Sequence, residues 1–295
     1  MKFLRIGTAH CKNIRGFELL AQEAQASLDV IDGFSQLLTD HYDLVFIPQG
    51  FYHSLQLPNA KRILYGPQNF VFPNEPWVYK FEPSMERSLY TCLSPYLKKI
   101  WDQFPPLCLP VKALPFPVDI EKFSPNNSEK TYDCFIYFKS RSESNLQTIE
   151  DLCKKLNYKY VVFRYGHYKE EEYIYVVNKC RFGIWCGAHE SQGFALQEAL
   201  CMNIPLIVCN IRTLNDEING QGNHSYPEYK DNYDLSATSC PYFDDRCGII
   251  IYHLNELNDA IVKIDSQTFN PREYILETLS PKVCYERIIE SFNEL

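Results

Sequence analysis

The sequence predicts an α/β protein built of two Rossmann-like lobes with a cleft between them. Three observations lead there. Short apolar runs alternate with helical patterns, as parallel sheets in α/β layers require. The alternation breaks once, at "PPLCLPVKALPFPVDIEKFSPNNSEK" (105–130), whose six prolines exclude a regular helix. It then restarts, and 295 residues suit two domains of ordinary size.

In order, "KFLRIG" (2–7) reads as a first strand and "NIRGFELLAQEAQ" (13–25) as a helix with Gly16 near its start. "YDLVFIPQ" (42–49) and "KRILYGPQ" (61–68) are strands ending in Pro, Gly and Gln. "SLYTCLS" (88–94) is a strand, and Pro95 opens the helix after it. Past the proline-rich connector, "YDCFIYFKS", "KYVVFRYG", "RFGIWCG", "PLIVCNI" and "CGIIIYH" read as strands. The helices between and after them are "ESNLQTIEDLCKKLN", "KEEEYIYVVNKC", "SQGFALQEALCMN" and "LNELNDAIVKI". The expected division is 1–117, 118–279 and a terminal amphipathic helix, 280–295, opened by Ser280-Pro281 and packing back on the first lobe.

Composition narrows the function. Hydrophobic residues at 45% and charged residues at 22% describe a globular chain. A net charge of −8 offers no footprint for nucleic acid. The 12 cysteines form no C-x-x-C pair, and Cys134, Cys186 and Cys209 lie in apolar runs, so buried reduced thiols are expected rather than disulfides or zinc. The 7 histidines contain no H-x-x-x-H pair, so no metal is expected. No signal peptide or membrane-spanning stretch is read, and the expected location is cytoplasmic.

The stretch "GAHESQGFALQEALCMNIPLIV" (187–208) carries chemistry. Glu190 falls in the loop after a strand, and Glu198 lies in the next helix, with seven residues between them. Ser191, Gln192, Gly193 and Phe194 form the expected helix start, whose free N–H groups and positive dipole end suit a phosphate. Gly193 lets a ligand approach the backbone. A carboxylate before that terminus can accept from sugar hydroxyls, and one further along can accept from a ribose. A nucleoside diphosphate sugar, with its diphosphate between two polyols, fits both.

Here the chain resembles the nucleotide-sugar-dependent glycosyltransferases of GT-B fold, especially their large retaining family with the E-x7-E motif. That family reads E-G-F-G-L-x-x-x-E-A-x-A-x-G-x-P-V-I; this chain reads Glu190-Ser-Gln-Gly-Phe-Ala-Leu-Gln-Glu198-Ala-Leu-Cys-Met-Asn-Ile-Pro205-Leu-Ile. "LPFPVDIEKFSP" (114–125) is similar to the family's interdomain segment I-x-N-G-V-D-x-x-x-F-x-P, with Pro117 at the glycine and Val118-Asp119 kept. The resemblance covers roughly residues 110 to 215.

The resemblance implies a glycosyltransferase that moves a hexosyl or pentosyl group from a nucleotide-sugar donor to a glycan or glycoconjugate acceptor. It implies Glu198 on the ribose, Glu190 on the donor sugar as the catalytic carboxylate, and Lys139 and Arg141 on the diphosphate. Tyr165 or His167, in "FRYGHY", would seat the base. The family's first-lobe His is replaced in "DLVFIPQG" by Pro48 and Gln49, and the next strand ends at Gln68. His10 and His53 are substitutes, and Gly16, Gln49 and Gln68 fall on the acceptor side. No D-x-D is present, which suits a metal-independent enzyme with no cofactor beyond its donor. "SATSCPYFDDRCG" (236–248) is either a functional loop or a surface excursion. Rival readings are a GT-B-like nucleotide-sugar or glycan-binding protein without turnover, and a sugar-nucleotide epimerase.

Overall fold

The computed structural model describes residues 1–32, 40–48, 59–67, 72–73, 87–216 and 232–295. The chain divides into two compact units, Met1–Asp119 with Thr278–Leu295, and Ile120–Glu277.

The first unit contains β1 (Lys2–Ile6), α1 (Cys11–Glu23), β2 (Ser27–Ile31), β3 (His41–Tyr42), β4 (Leu44–Ile47), β5 (Asn59–Ala60), β6 (Ile63–Tyr65), β7 (Ser88–Cys92), α2 (Pro95–Trp101) and β8 (Val111–Ala113). Its main sheet runs β2-β1-β4-β6-β7-β8, parallel at every pairing. Parallel strands are covered on both faces, so β4 and β6 are apolar and buried throughout.

Two strands of the main sheet escape the sequence reading. β2, "SLDVI", carries a charge in its middle; Lys2 pairs with that Asp29 at 2.9 Å across the sheet edge. β8 sits between Pro110 and Pro115 inside the connector. It tolerates them because it is the far edge of the sheet and pairs only with β7.

Phe116 and Asp119, in the segment that resembles the interdomain motif, fasten α1. Phe3, Phe17, Phe46 and Phe116 form a row with successive ring centroids 5.8, 4.8 and 5.2 Å apart. Arg15 donates to Asp119 Oδ2 at 3.0 Å from Nε and 2.8 Å from Nη2, and Asp119 raises the guanidinium's pKa against the cost of desolvation. Gly16 is buried, and a Cβ there would lie 2.6 Å from Phe116 Cβ. The space beside Gly16 is therefore filled by the aromatic row.

The second unit contains β9 (Tyr132–Phe138), α3 (Glu143–Lys155), β10 (Tyr160–Arg164), α4 (Glu170–Val177), β11 (Cys180–Cys186), α5 (Phe194–Cys201), β12 (Leu206–Cys209), β13 (Gly248–Ile251), α6 (Leu257–Ser266) and most of α7 (Pro271–Leu279). Its sheet is parallel, in the order β10-β9-β11-β12-β13. Cys134, Ile136, Ile184, Ile207 and Ile251 from its strands meet Ile149 of α3 and Ile261 of α6 in the core. The helix α7 was not expected from sequence, and α5 starts at Phe194 rather than at Ser191.

The chain closes with α8 (Pro281–Asn293), opened by proline as its sequence suggests. It belongs to the first unit and packs on α1, with Tyr285 stacked on Phe3 at 6.5 Å. All twelve cysteines are free; Cys11 is exposed, Cys108 is intermediate and the others are buried.

Candidate functional site

In the second unit the strand order reverses at β9. Its successor β10 lies on one side of it, and β11, β12 and β13 follow on the other. Open parallel sheets bind ligands outside the carboxyl ends of their strands at such a switch point. The residues following β9 and β11 therefore mark the place to look.

Lys139 directly follows β9 and extends the ladder, its N–H on Cys186 O at 3.1 Å and its carbonyl accepting from Ala188 N at 2.9 Å. The next residue, Ser140, has φ +50°, a left-handed conformation that a serine adopts at a cost. That bend separates Lys139 from Arg141. Lys139 Nζ sits 2.9 Å from both carboxylate oxygens of Glu190 and 4.6 Å from the centre of the Tyr165 ring. The side chains of Lys139 and Glu190 are only 19% and 12% exposed, so this is an ion pair largely withdrawn from water.

Arg141 takes another role. Its Nη1 donates to Gly187 O at 3.1 Å and Cys209 O at 3.2 Å, tying together the ends of β11 and β12. Among the described residues no carboxylate pairs with it. A cation held by neutral carbonyls at a strand end keeps charge available for an anion.

Glu190 is held from behind by a segment that the sequence left undecided. Its N–H donates to Thr238 O at 3.1 Å, and Ser239 Oγ donates to Gly187 O at 3.1 Å. Asn210, just past β12, organises that segment: its Oδ1 accepts from Ser239 N at 2.7 Å, Thr238 Oγ1 at 3.0 Å and Ile211 N at 2.9 Å. The stretch around 238–241 is thus built against the site and is no free excursion. Thr238, Ser239 and Asn210 were missed because their bonds join chain positions about fifty and thirty residues apart.

Gly193 is the N-cap of α5, at φ +83° and without a side-chain cap. A Cβ there would meet Glu190 Cβ at 3.5 Å and Pro241 Cδ at 3.7 Å. Phe194 is the first helical residue and Ser191 is exposed. Gln192 departs from expectation: it is buried, with Nε2 on Gln197 Oε1 at 3.0 Å, while Gln197 Nε2 returns to Gln192 O at 2.6 Å. It shapes the turn into α5. Glu198, in the second turn of α5, is 4% exposed. Burial drives the Tyr173 phenol far above its usual pKa, with the charges of Tyr168 and Glu198 adding to the rise.

The aromatic platform behind the pair is tightly built. Tyr137 stacks on Trp185 at 3.8 Å with planes 4° apart, and Gly187 is glycine because a Cβ would lie 2.6 Å from the indole nitrogen. Of the two residues expected to seat a base, Tyr165 is 53% exposed and joins Lys139. His167 is exposed in the turn after β10, its N–H on Arg164 O at 3.0 Å. In the first unit His10 is exposed and caps α1, its Nδ1 accepting from Lys12 N at 3.3 Å. That bond occupies one ring nitrogen in local structure. Gln49, Gln68 and His53 lie outside the described residues.

Solved structures with a similar fold include the following three. Sucrose-phosphate synthase from Thermosynechococcus elongatus matches all of this chain and 98% of its own, at a TM-score of 0.51 and 12% identity. The lipopolysaccharide outer core galactosyltransferase WaaB, in its apo form, matches over 100% of both chains at a TM-score of 0.52 and 11% identity. The fold is GT-B. A TarM variant from S. aureus, in complex with fondaparinux, α-GlcNAc-glycerol and UDP, covers 80% of this chain and 51% of its own, at a TM-score of 0.50 and 16% identity. No protein-family model matches the chain, and no curated protein matches it in sequence. At these identities the likeness establishes the GT-B architecture. Among the described residues no helix is long and apolar enough to cross a membrane.

Proposed function

We propose that the protein transfers a sugar from a nucleoside diphosphate sugar to a hydroxyl of a glycan or glycoconjugate, with retention at the anomeric carbon and without a metal. The observation that carries this reading is the meeting of Lys139, Glu190 and Tyr165 at the switch point of the second sheet, with Arg141 two residues beyond Lys139. The GT-B fold and the E-x7-E spacing support it.

In this reading Lys139 and Arg141 hold the diphosphate and stabilise the charge that gathers on it as it leaves. The open start of α5, at Gly193 and Phe194, supplies N–H groups to the same phosphates. Glu198 takes the ribose hydroxyls and Tyr165 stacks on the base. Glu190 faces the sugar and stabilises positive charge developing at the anomeric carbon. The bond from that carbon to the diphosphate oxygen breaks and a bond to the acceptor oxygen forms. The acceptor proton passes to the departing diphosphate, so the chemistry needs no protein base.

The test is a thermal-shift screen against nucleoside diphosphates and their sugars, because a ligand bound only by the native state raises apparent stability. A nucleotide-release assay with acceptor glycans follows on the best donor. Stabilisation by at least one nucleotide sugar is expected; no shift with any of them would sink the reading.

A further inference from the structure

Helix α5 has no side-chain cap at its start and no acidic residue in its first turn. Its ladder begins with Gln197 N–H on Gly193 O at 2.9 Å, so the N–H groups of Phe194, Ala195 and Leu196 precede the first rung. A helix of 8 residues with an open start is marginal by itself. The structure steadies it through its carbonyls. Tyr173 of α4, 1% exposed, donates its hydroxyl to Ala195 O, in the first turn of α5, at 2.8 Å. Its ring is fixed by Phe163, Tyr168 and Phe135, with centroids 5.2, 5.3 and 5.9 Å away. Arg272 of α7 holds the other end, its Nη1 donating to Cys201 O at 2.8 Å. The same guanidinium reaches Phe123 O at 3.3 Å and Ile120 O at 3.2 Å, and the Arg272 N–H meets Asn203 Oδ1 at 3.3 Å. From this, and resting on the diphosphate reading of the site, we infer that Tyr173 and Arg272 are positioning residues. They hold α5 by its carbonyls so that its first-turn N–H groups stay set for a phosphate.

The argument turns on which backbone groups the two side chains use. A serine or aspartate cap would also steady α5, but it would take an N–H from the phosphate. A carbonyl oxygen has two lone pairs, so Ala195 O accepts the Tyr173 hydroxyl and still serves the helix. At the far end a cation beside the last carbonyl also suits the helix dipole. Leu196, Ala199 and Leu200 in the core, and the Gln192–Gln197 pair, hold α5 as well, so loss of one donor leaves the fold standing. What Tyr173 and Arg272 add is direction. Each fixes one end of the axis, and N–H groups bind a phosphate well only when placed to a fraction of an ångström.

The test is isothermal titration with inorganic pyrophosphate, alongside urea unfolding, of wild type, Tyr173→Phe, Arg272→Gln, Arg272→Lys and Ile261→Val. Ile261 lies in the core on α6, and its truncation supplies a loss of stability away from the two donors. Tyr173→Phe keeps the ring and removes only the hydroxyl. It and Arg272→Gln should each bind pyrophosphate about fivefold more weakly, the size of one hydrogen bond. Arg272→Lys should recover part of that loss, and Ile261→Val should bind as wild type does. If wild type binds pyrophosphate and either Tyr173→Phe or Arg272→Gln binds it as tightly, the inference is overturned and the diphosphate site stands. An equal loss in Ile261→Val overturns it too, since reduced stability alone would then explain the effect. If wild type does not bind pyrophosphate, the diphosphate reading falls and the inference falls with it.

Discussion

Asn210 and Ser239 are joined at 2.7 Å, side-chain oxygen to backbone N–H, which fastens the 238–241 segment to the end of β12. The same oxygen serves Thr238, whose carbonyl in turn receives the Glu190 N–H. Asn210→Ala strips the acceptor from three donors. It should cost about 1–3 kcal/mol in urea unfolding and lower turnover, because Glu190 loses its backing. An unchanged midpoint would show that the segment holds itself.

Lys139→Ala should weaken nucleoside diphosphates by about tenfold or more while leaving the free nucleoside nearly unaffected. Arg141→Ala should do the same and also destabilise the fold, since Gly187 O and Cys209 O each lose one donor. Equal losses for diphosphate and nucleoside would remove these cations from the phosphates.

Glu198→Ala should weaken a nucleotide by about 1.5–3 kcal/mol through lost charge-assisted hydrogen bonds. The variant should remain folded, because Leu196, Ala199 and Leu200 still anchor α5 in the core. Unaltered affinity in a folded variant would end the ribose assignment.

Two glycines should separate backbone strain from collision. Gly193→Ala has room for its methyl group and pays only for φ +83°, about 1 kcal/mol. Gly248→Ala adds a Cβ 2.0 Å from Leu206 O at φ +138°, so it should be far more disruptive. Thermal unfolding of the pair checks the order.

The buried thiols make stability fall in alkali. Burial raises Cys92, Cys180, Cys247 and Cys284 from 9.0 to about 12, and Cys240 to about 11. Below pH 9 the folded and unfolded chains both keep these protons. Above it the unfolded chain releases protons that the folded chain retains, so the loss runs from pH 9 toward the raised values. Each ionised thiol adds a slope of up to about 1.4 kcal/mol per pH unit. Denaturant unfolding between pH 8 and 10.5 under reducing conditions should show this, and Cys284→Ala should make the slope shallower.

The sequence by itself determined the α/β class, the strands β9, β11 and β12, and the connector where proline forbids a helix. These follow from local patterning: apolar runs, turn residues and proline act over a few neighbouring positions. It also marked Glu190 and Glu198, because a strand followed by a loop and a helix start is a local signature, while Lys139 and Arg141 were marked by the resemblance to GT-B glycosyltransferases. Only the tertiary structure decided what those residues touch. Lys139 and Glu190 lie fifty-one positions apart and meet because β9 and β11 are neighbours in the sheet. Phe116 fills the space beside Gly16 from a hundred positions away. The side chain of Gln192 is buried against Gln197, a pairing that the strand, loop and helix pattern does not reveal. The strand β8 stayed hidden among prolines because an edge position, which exists only in the assembled sheet, is what makes them tolerable. Ion pairs, close approaches and edge positions depend on which strands lie side by side, and that order is a property of the packed sheet rather than of any stretch of chain.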